Sequence, residues 1–300
     1  MPIYIIKKMD IGDLKAKIDD NFDNLYRQII DLEIKFGIDK EKKRQEFSNI
    51  LGYDSKPHDI IVSTTTLSMR LNTDFKVNNI ANYFPLSMDF IQTLQYGNMC
   101  RTLLKEPGDL DKTQFKNHQV TLCVYINGHG YVSIKLFKNG TIHMTGCTSI
   151  DMIINVFDKL FSELKKTKYD IEADTKNVVK ITMVGDISKL NYHNISGFKV
   201  IMINCNYNIG FSLNRIKLFD IVREQKISSD YDPSNHPGVV IYRDRAHVFI
   251  FEKGSIVITG ASNFVDIRKA YDFVNIILLK NYKKIVKNDI ATIKVLEQYY

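Results

Sequence analysis

The chain has no tryptophan, six prolines, four cysteines and no long apolar run. Six prolines and 15 glycines in 300 residues exclude collagen-like and low-complexity chains. Cys100, Cys123, Cys147 and Cys205 form no C-x-x-C pair, which argues for the reduced, core-filling thiols of an intracellular protein. No stretch reaches the roughly 18 apolar residues that span a bilayer. The opening MPIYIIKKMDIGDLK turns polar too soon for a signal peptide. Membrane and secreted readings fall away. The seven histidines show neither H-x-x-x-H nor His–Cys spacing, so neither a metal nor a cofactor is expected. The glycines of NGHGY (127–131) lack a strand–G-x-G-x-x-G–helix context and fit a hairpin turn instead. With no recognisable Ser/His/Asp signature, nothing points to an enzyme or a small-molecule substrate.

What is present is ordinary globular composition, 44% hydrophobic and 25% charged, with a net charge of +7. That excess permits an anionic partner without requiring one. Ile11, Leu14, Ile18, Phe22, Leu25, Ile29, Leu32 and Phe36 recur every three or four residues, which predicts an amphipathic helix. Asp10 is its expected N-cap and Gly37 its expected stop. Such a stripe docks on its own domain or pairs with a partner. DKEKKRQEF (39–47) reads as a solvated helix end before a linker near Asp54–Pro57.

The informative feature is a duplication. FKNGTIHMTG (137–146) and FEKGSIVITG (251–260) both fit F-x-x-G-x-I-x-x-T-G. Each is preceded by strand-forming runs, VTLCVYING (120–128) and GVVIYR (238–243), and followed by an amphipathic helix. Turns at Lys138–Gly140 and Glu252–Gly254 make the strands antiparallel. Helices following strands in a block cover one face of the sheet, the α+β pattern. Alternation then places Val257 and Thr259 on one face, and Ile256 and Ile258 on the other. Phe249 and Phe251 likewise oppose Val248 and Ile250. An apolar face left without helices must meet a second layer, a partner or a ligand.

These residues resemble the TATA-box-binding protein family. The matching pieces are VSTTTLSMRLN (62–72) and VSIKLFKNGTIHMTG (132–146) in the first copy, and FKVIMINCNYNIGFSLNRIKL (198–218) and VFIFEKGSIVITGAS (248–262) in the second. Tyr231, Pro233, Pro237 and Gly238, followed by I-Y-R, reproduce a spacing specific to that family's second repeat. The resemblance implies an α+β saddle of two tandem repeats. A continuous curved antiparallel sheet has helices on its convex face and is preceded by an N-terminal helical extension. The implied segments are 1–57 for the extension, 58–165 and 198–285 for the repeats, 166–197 for an insertion, and 286–300 for a helical tail.

The resemblance also implies double-stranded A/T-rich DNA as ligand, held in the minor groove and kinked by aromatic wedges. One wedge per copy is kept, Phe137 and Phe251. The second wedge aligns with His236 in one copy and falls near Val120 in the other, with Phe115 a displaced candidate. Implied groove-facing residues are Val62, Thr145, Thr259, Val257 and Phe249, with His143 replacing a valine and Lys135 beside them. The family's paired central asparagines align with Ile60 and Met202, although Asn204 and Asn206 share the strand face of Met202. A phosphate-contacting arginine is kept as Arg243, while its first-copy partner aligns with Ile126. The basic run Lys280, Lys283, Lys284 and Lys287 reads first as a solvated helix face.

Within the insertion, VVKITMV (178–184) is an expected extra strand. If it opened the second repeat instead of FKVIMIN, Thr182 and Val184 would face the groove. The implied partners are a B-type initiation factor, contacted near Asp232–His236, and RNA polymerase. The implied place is the nucleus or a viral transcription compartment. The rival reading is a protein-interaction module that keeps the saddle but has lost specific DNA bending, its concave face holding a regulator or the N-terminal helix.

Overall fold

The computed structural model describes residues 11–104, 118–171 and 178–287, without the side chains of 11–26 and of residue 29. Phe115, the Asp10 cap and residues 288–300 of the expected tail lie outside the described residues. Among those described, no helix is long and apolar enough to cross a membrane.

The first repeat is β1 (Ile61–Leu71), α2 (Val77–Tyr83), β2 (Ile91–Tyr96), β3 (Met99–Thr102), β4 (Gln119–Ile126), β5 (Gly130–Phe137), β6 (Thr141–Cys147) and α3 (Ile150–Lys165). A two-stranded ribbon follows, β7 (Lys168–Ile171) with β8 (Val178–Ile181). The second repeat is β9 (Ile195–Asn208), α4 (Arg215–Glu224), β10 (Ser229–Asp230), β11 (Val239–Arg243), β12 (Ala246–Ile250), β13 (Ser255–Thr259) and α5 (Phe264–Lys280), closed by α6 (Tyr282–Ile285). Eleven strands form one antiparallel sheet in the order β10-β11-β12-β13-β9-β1-β6-β5-β4-β2-β3. The fold is the α+β saddle. Its repeats meet where β1 pairs with β9.

The repeated decapeptide has a structural reason at nearly every fixed position. Gly140 and Gly254 have φ of 85° and 81°. A Cβ on Gly140 would lie 2.3 Å from the Thr73 carbonyl oxygen, and one on Gly254 2.4 Å from that of Phe211. Gly146 and Gly260 similarly press on the hairpins preceding them, 2.6 Å from the Tyr131 oxygen and 2.7 Å from the Arg245 oxygen. Only glycine meets both the left-handed backbone and the close approach. Ile142 and Ile256 are fully buried beneath the sheet.

Helices cover one face. The Ser149 side chain caps α3 by accepting from the Met152 N–H, and that of Asn263 caps α5 by accepting from the Asp266 N–H. Met152, Val156, Phe157, Leu160 and Leu164 bury the α3 stripe against Ile134, Leu136 and Ile142. Ile267, Ala270 and Val274 of α5 join Val248, Ile250, Ile256 and Ile258 in a second cluster.

Two N-terminal expectations are corrected. The first helix, α1 (Ile11–Leu51), runs through Gly37 instead of stopping there. A helical glycine costs about 1 kcal/mol relative to alanine, and docking on both sides of it outweighs that cost. Nor is 39–47 a free solvated end. Lys40 Nζ lies 2.6 Å from Asp158, Arg44 pairs with Asp151, and Phe47 is fully buried against Phe157 and Phe198. Asp158 also accepts from the Tyr192 hydroxyl at 2.7 Å. All these contacts lie on the helix side of the sheet.

Candidate nucleic-acid interface

The open face is built around a near-twofold pairing of β1 with β9. Thr64 pairs with Asn204 and Thr66 with Met202, on either side of the Thr65–Ile203 pair. Beyond them the register slips at Ser63 in β1 and at Ile201 in β9. Each slip inserts one residue and reverses which face the next side chains take.

Those bulges correct two expectations. Val62 pairs with Cys205 and packs on the second-repeat core, so it faces the helices and not the groove. Ile60, 1% exposed, belongs to the same core and is not an open-face counterpart of Met202. The open-face counterpart of Met202 is Thr64, and that of Asn204 is Thr66. The Thr259 hydroxyl donates to Asn204 Oδ1 at 2.5 Å, while in the other half Thr66 and Thr145 hydroxyls stand 3.4 Å apart. Thr64 Oγ1 is buried and has no partner among the described residues.

Outward from this centre run two equivalent rows of cross-strand neighbours. One reads Lys199, Ser68, His143, Lys135, Thr121 across β9, β1, β6, β5 and β4. The other reads Ile61, Asn206, Val257, Phe249, Val240 across β1, β9, β13, β12 and β11, and ends on the exposed Asp230 of β10. The second row is the apolar surface expected from the sequence. The first is polar and basic, so the face is apolar in one half only. Burial, together with Lys135 and Lys199, lowers the His143 pKa below its ordinary 6.5.

Phe137 and Phe251 occupy equivalent corners, each half-buried at the turn into the next strand. Both have histidine neighbours. His236 lies 4.9 Å from the Phe249 ring and 5.6 Å from Phe251, and its Nδ1 accepts from the Gly238 N–H at 3.1 Å. At the other corner, His118 stacks 6.3 Å from Phe137, and His143 meets the same ring edge-on at 4.9 Å. Val120 is fully buried, so His118 and not Val120 stands beside the first wedge. Sequence alternation held that signal, because Val120 shares the apolar face of Leu122 and Val124.

Arg243 lies away from the open-face rows. It alternates with Val239 and Ile241 on the helix side, and its guanidinium lies over Phe273 of α5 at 4.6 Å. Ile126 is buried on the same side of the first repeat. Lys280, Lys283 and Lys284 are exposed, whereas Lys287 pairs with Glu252. The alternative opening strand is excluded as well: Val184 is buried and bridges to Phe75, and Thr182 accepts from Lys76. Among the described residues β8 pairs only with β7, while FKVIMIN lies in β9 beside β1.

Electrostatics complete the picture. The eleven strands of the sheet carry a single acidic residue, Asp230 of the edge strand β10. Lys135 and Lys199 are exposed on the open face.

Residues 197–281 match the family described as transcription factor TFIID, or TATA-binding protein. Over 253 residues, 76% of this chain and 67% of the relative, the sequence is 30% identical to a TATA-box-binding protein-like protein of Acanthamoeba polyphaga mimivirus. The chain belongs to the TATA-box-binding protein family. It is also 25% identical over 170 residues to TATA-box-binding protein F of Halobacterium salinarum, covering 56% of this chain and 78% of that one. The solved structure of the Methanococcus jannaschii protein aligns with a TM-score of 0.46 at 18% identity, covering 74% of this chain and 99% of that one. This family member is thus a transcription factor by descent, with a saddle whose two halves differ in chemistry.

Proposed function

We propose that this protein is a transcription initiation factor that binds A/T-rich promoter DNA in the minor groove, bends it, and nucleates assembly with a B-type initiation factor and RNA polymerase. The observation that carries the reading is the pair of corners at Phe137 and Phe251, set symmetrically on an open face whose strands carry one acidic side chain, Asp230 at the β10 edge. Apolar side chains at such corners can enter base steps and kink the duplex, a device of which this family is the type example. Val257, Phe249 and Thr259 suit the edges of A·T pairs, which lack the guanine amino group. The basic row, rather than Arg243, supplies attraction for phosphate. The nucleus or a viral transcription compartment is where such a factor would work.

The contact surface for a B-type factor has narrowed. The Asp232 carboxylate accepts from both the Ser234 N–H and hydroxyl, which holds its pKa below the usual range and ties it into its own turn. The rival reading loses support only in the form in which the N-terminal helix fills the open face, because Phe36, Lys40, Arg44 and Phe47 of α1 dock on the helix side; a regulator on that face remains its other form.

The test is a fluorescence-resonance bending assay on an A·T-rich duplex at graded salt. The expected result is a bent complex that straightens or dissociates for Phe137→Ala combined with Phe251→Ala. A wild-type protein that binds without bending, or a double variant that bends as well as wild type, would overturn it.

A further inference from the structure

The two cross-strand rows occupy equivalent places, yet where one has Val257 between Asn206 and Phe249, the other has His143 between Ser68 and Lys135. We propose that His143 accepts a hydrogen bond from the guanine 2-amino group, so that the first-repeat half of the saddle takes a G·C pair where the second-repeat half requires A·T. The proposal rests on the DNA-binding reading above and adds to it a direction: the protein would recognise an asymmetric element and sit on it one way round.

The chemistry follows from what each row can offer. In the minor groove every base pair presents acceptors, and a G·C pair adds one donor, the guanine amino group. The Val257, Phe249 and Val240 side chains offer that donor no partner, which is more costly than the bond itself is favourable, and leave the Asn206 amide across from Val257 as the nearest acceptor. Against His143 it meets an imidazole. A neutral ring has one nitrogen free to accept. Burial and the two flanking ammonium groups both favour that neutral form. Ser68, directly across from His143 on β1, is nearly buried, so the imidazole is the exposed acceptor of the pair. Lys135 and Lys199 on either side can meet the acceptor edges of neighbouring pairs or the phosphates. The ring is also steered, because Phe137 meets it edge-on at 4.9 Å and limits its rotation toward the strand end. At Val257 no imidazole stands beside the Asn206 amide.

The experiment measures binding of the full chain to labelled duplexes that share one all-A·T core and carry a single G·C pair at each position in turn. For the wild type, a G·C pair is expected to be tolerated in one half and to weaken binding about tenfold in the other. His143→Val, which installs the residue already present at the equivalent place, is expected to make both halves intolerant. His143→Gln, which keeps an acceptor, is expected to restore tolerance in the first half. Each comparison is a ratio between duplexes within one variant, so a change in overall affinity or stability does not affect it. Equal intolerance in both halves of the wild type, or tolerance unchanged in His143→Val, overturns the half-site while leaving DNA binding intact. Failure of the wild type to bind even the all-A·T duplex overturns the functional reading and the half-site with it.

Discussion

Phe47 stacks on Phe198 with ring centroids 4.0 Å apart and planes inclined by 19°. The contact joins the N-terminal helix to the start of β9, which is the strand that opens the second repeat. It lies in the core that also holds Phe157, Leu160 and Tyr192, so α1 is part of the folded domain on the helix side and not a tether.

Phe47→Ala should therefore cost about 3–5 kcal/mol in stability, the range for deleting a buried aromatic ring. A double-mutant cycle with Phe198→Ala should return about 0.5–1.5 kcal/mol of coupling beyond area burial. Denaturant melts of the four proteins measure both. An α1 that frays without changing the main transition would contradict the assignment.

The motif glycines make a second expectation. Gly254 combines a φ of 81° with a Cβ position 2.4 Å from the Phe211 carbonyl oxygen. The strained backbone alone costs on the order of 1–3 kcal/mol, and the clash adds to it. Gly254→Ala should lower the melting temperature well beyond Gly128→Ala, where φ is 79° but no atom lies within 4 Å. The difference between the two variants isolates the close approach from the dihedral strain.

The same glycines explain why so much of the fold was legible in the sequence. Residues held by backbone contact cannot drift far, so F-x-x-G-x-I-x-x-T-G persists in both copies and reveals the duplication. Alternation then separated Val257 and Thr259 from Ile256 and Ile258 correctly, because β13 is regular. The family resemblance, which put Val62 on the groove and Ile60 opposite Met202, failed there because a bulge at Ser63 has no strong sequence mark, and one extra residue turns the preceding side chains over. Arg243 lies off the open face for a different reason. Its place in I-Y-R resembles the family's pattern, but strand parity puts it beside Val239 and Ile241, and Phe273 gives its guanidinium a surface to cover. Gly37 resembles a stop because the tertiary docking of Phe36 and Phe47 on either side of it is invisible in a local pattern.

His143 gives a pH expectation. Burial first, then Lys135 and Lys199, depress its folded pKa below 6.5, and Phe137 contributes no charge. The unfolded chain then binds a proton more readily than the folded one, so stability rises with pH across this titration. The contribution is present above about pH 6.5 and is lost as pH falls below that value. Proton NMR of the imidazole should find a midpoint below 6.5. Lys135→Ala with Lys199→Ala should raise it, leaving only the burial contribution.

Charge on the open face and charge on the helix side should separate in a salt titration. Lys135 and Lys199 are exposed on the open face, in the same row as His143, whereas the Arg243 guanidinium covers Phe273. If each open-face lysine neutralises one phosphate, removing either should reduce the slope of log affinity against log salt by about one. Arg243→Ala should leave that slope unchanged. Its effect should instead appear as a loss of about 0.5–2 kcal/mol in folding stability, the worth of a cation–π contact between exposed and desolvated limits. A salt slope that falls for Arg243→Ala and stays constant for both lysine variants would mean that DNA approaches the edge of the saddle at β11 and not its open face.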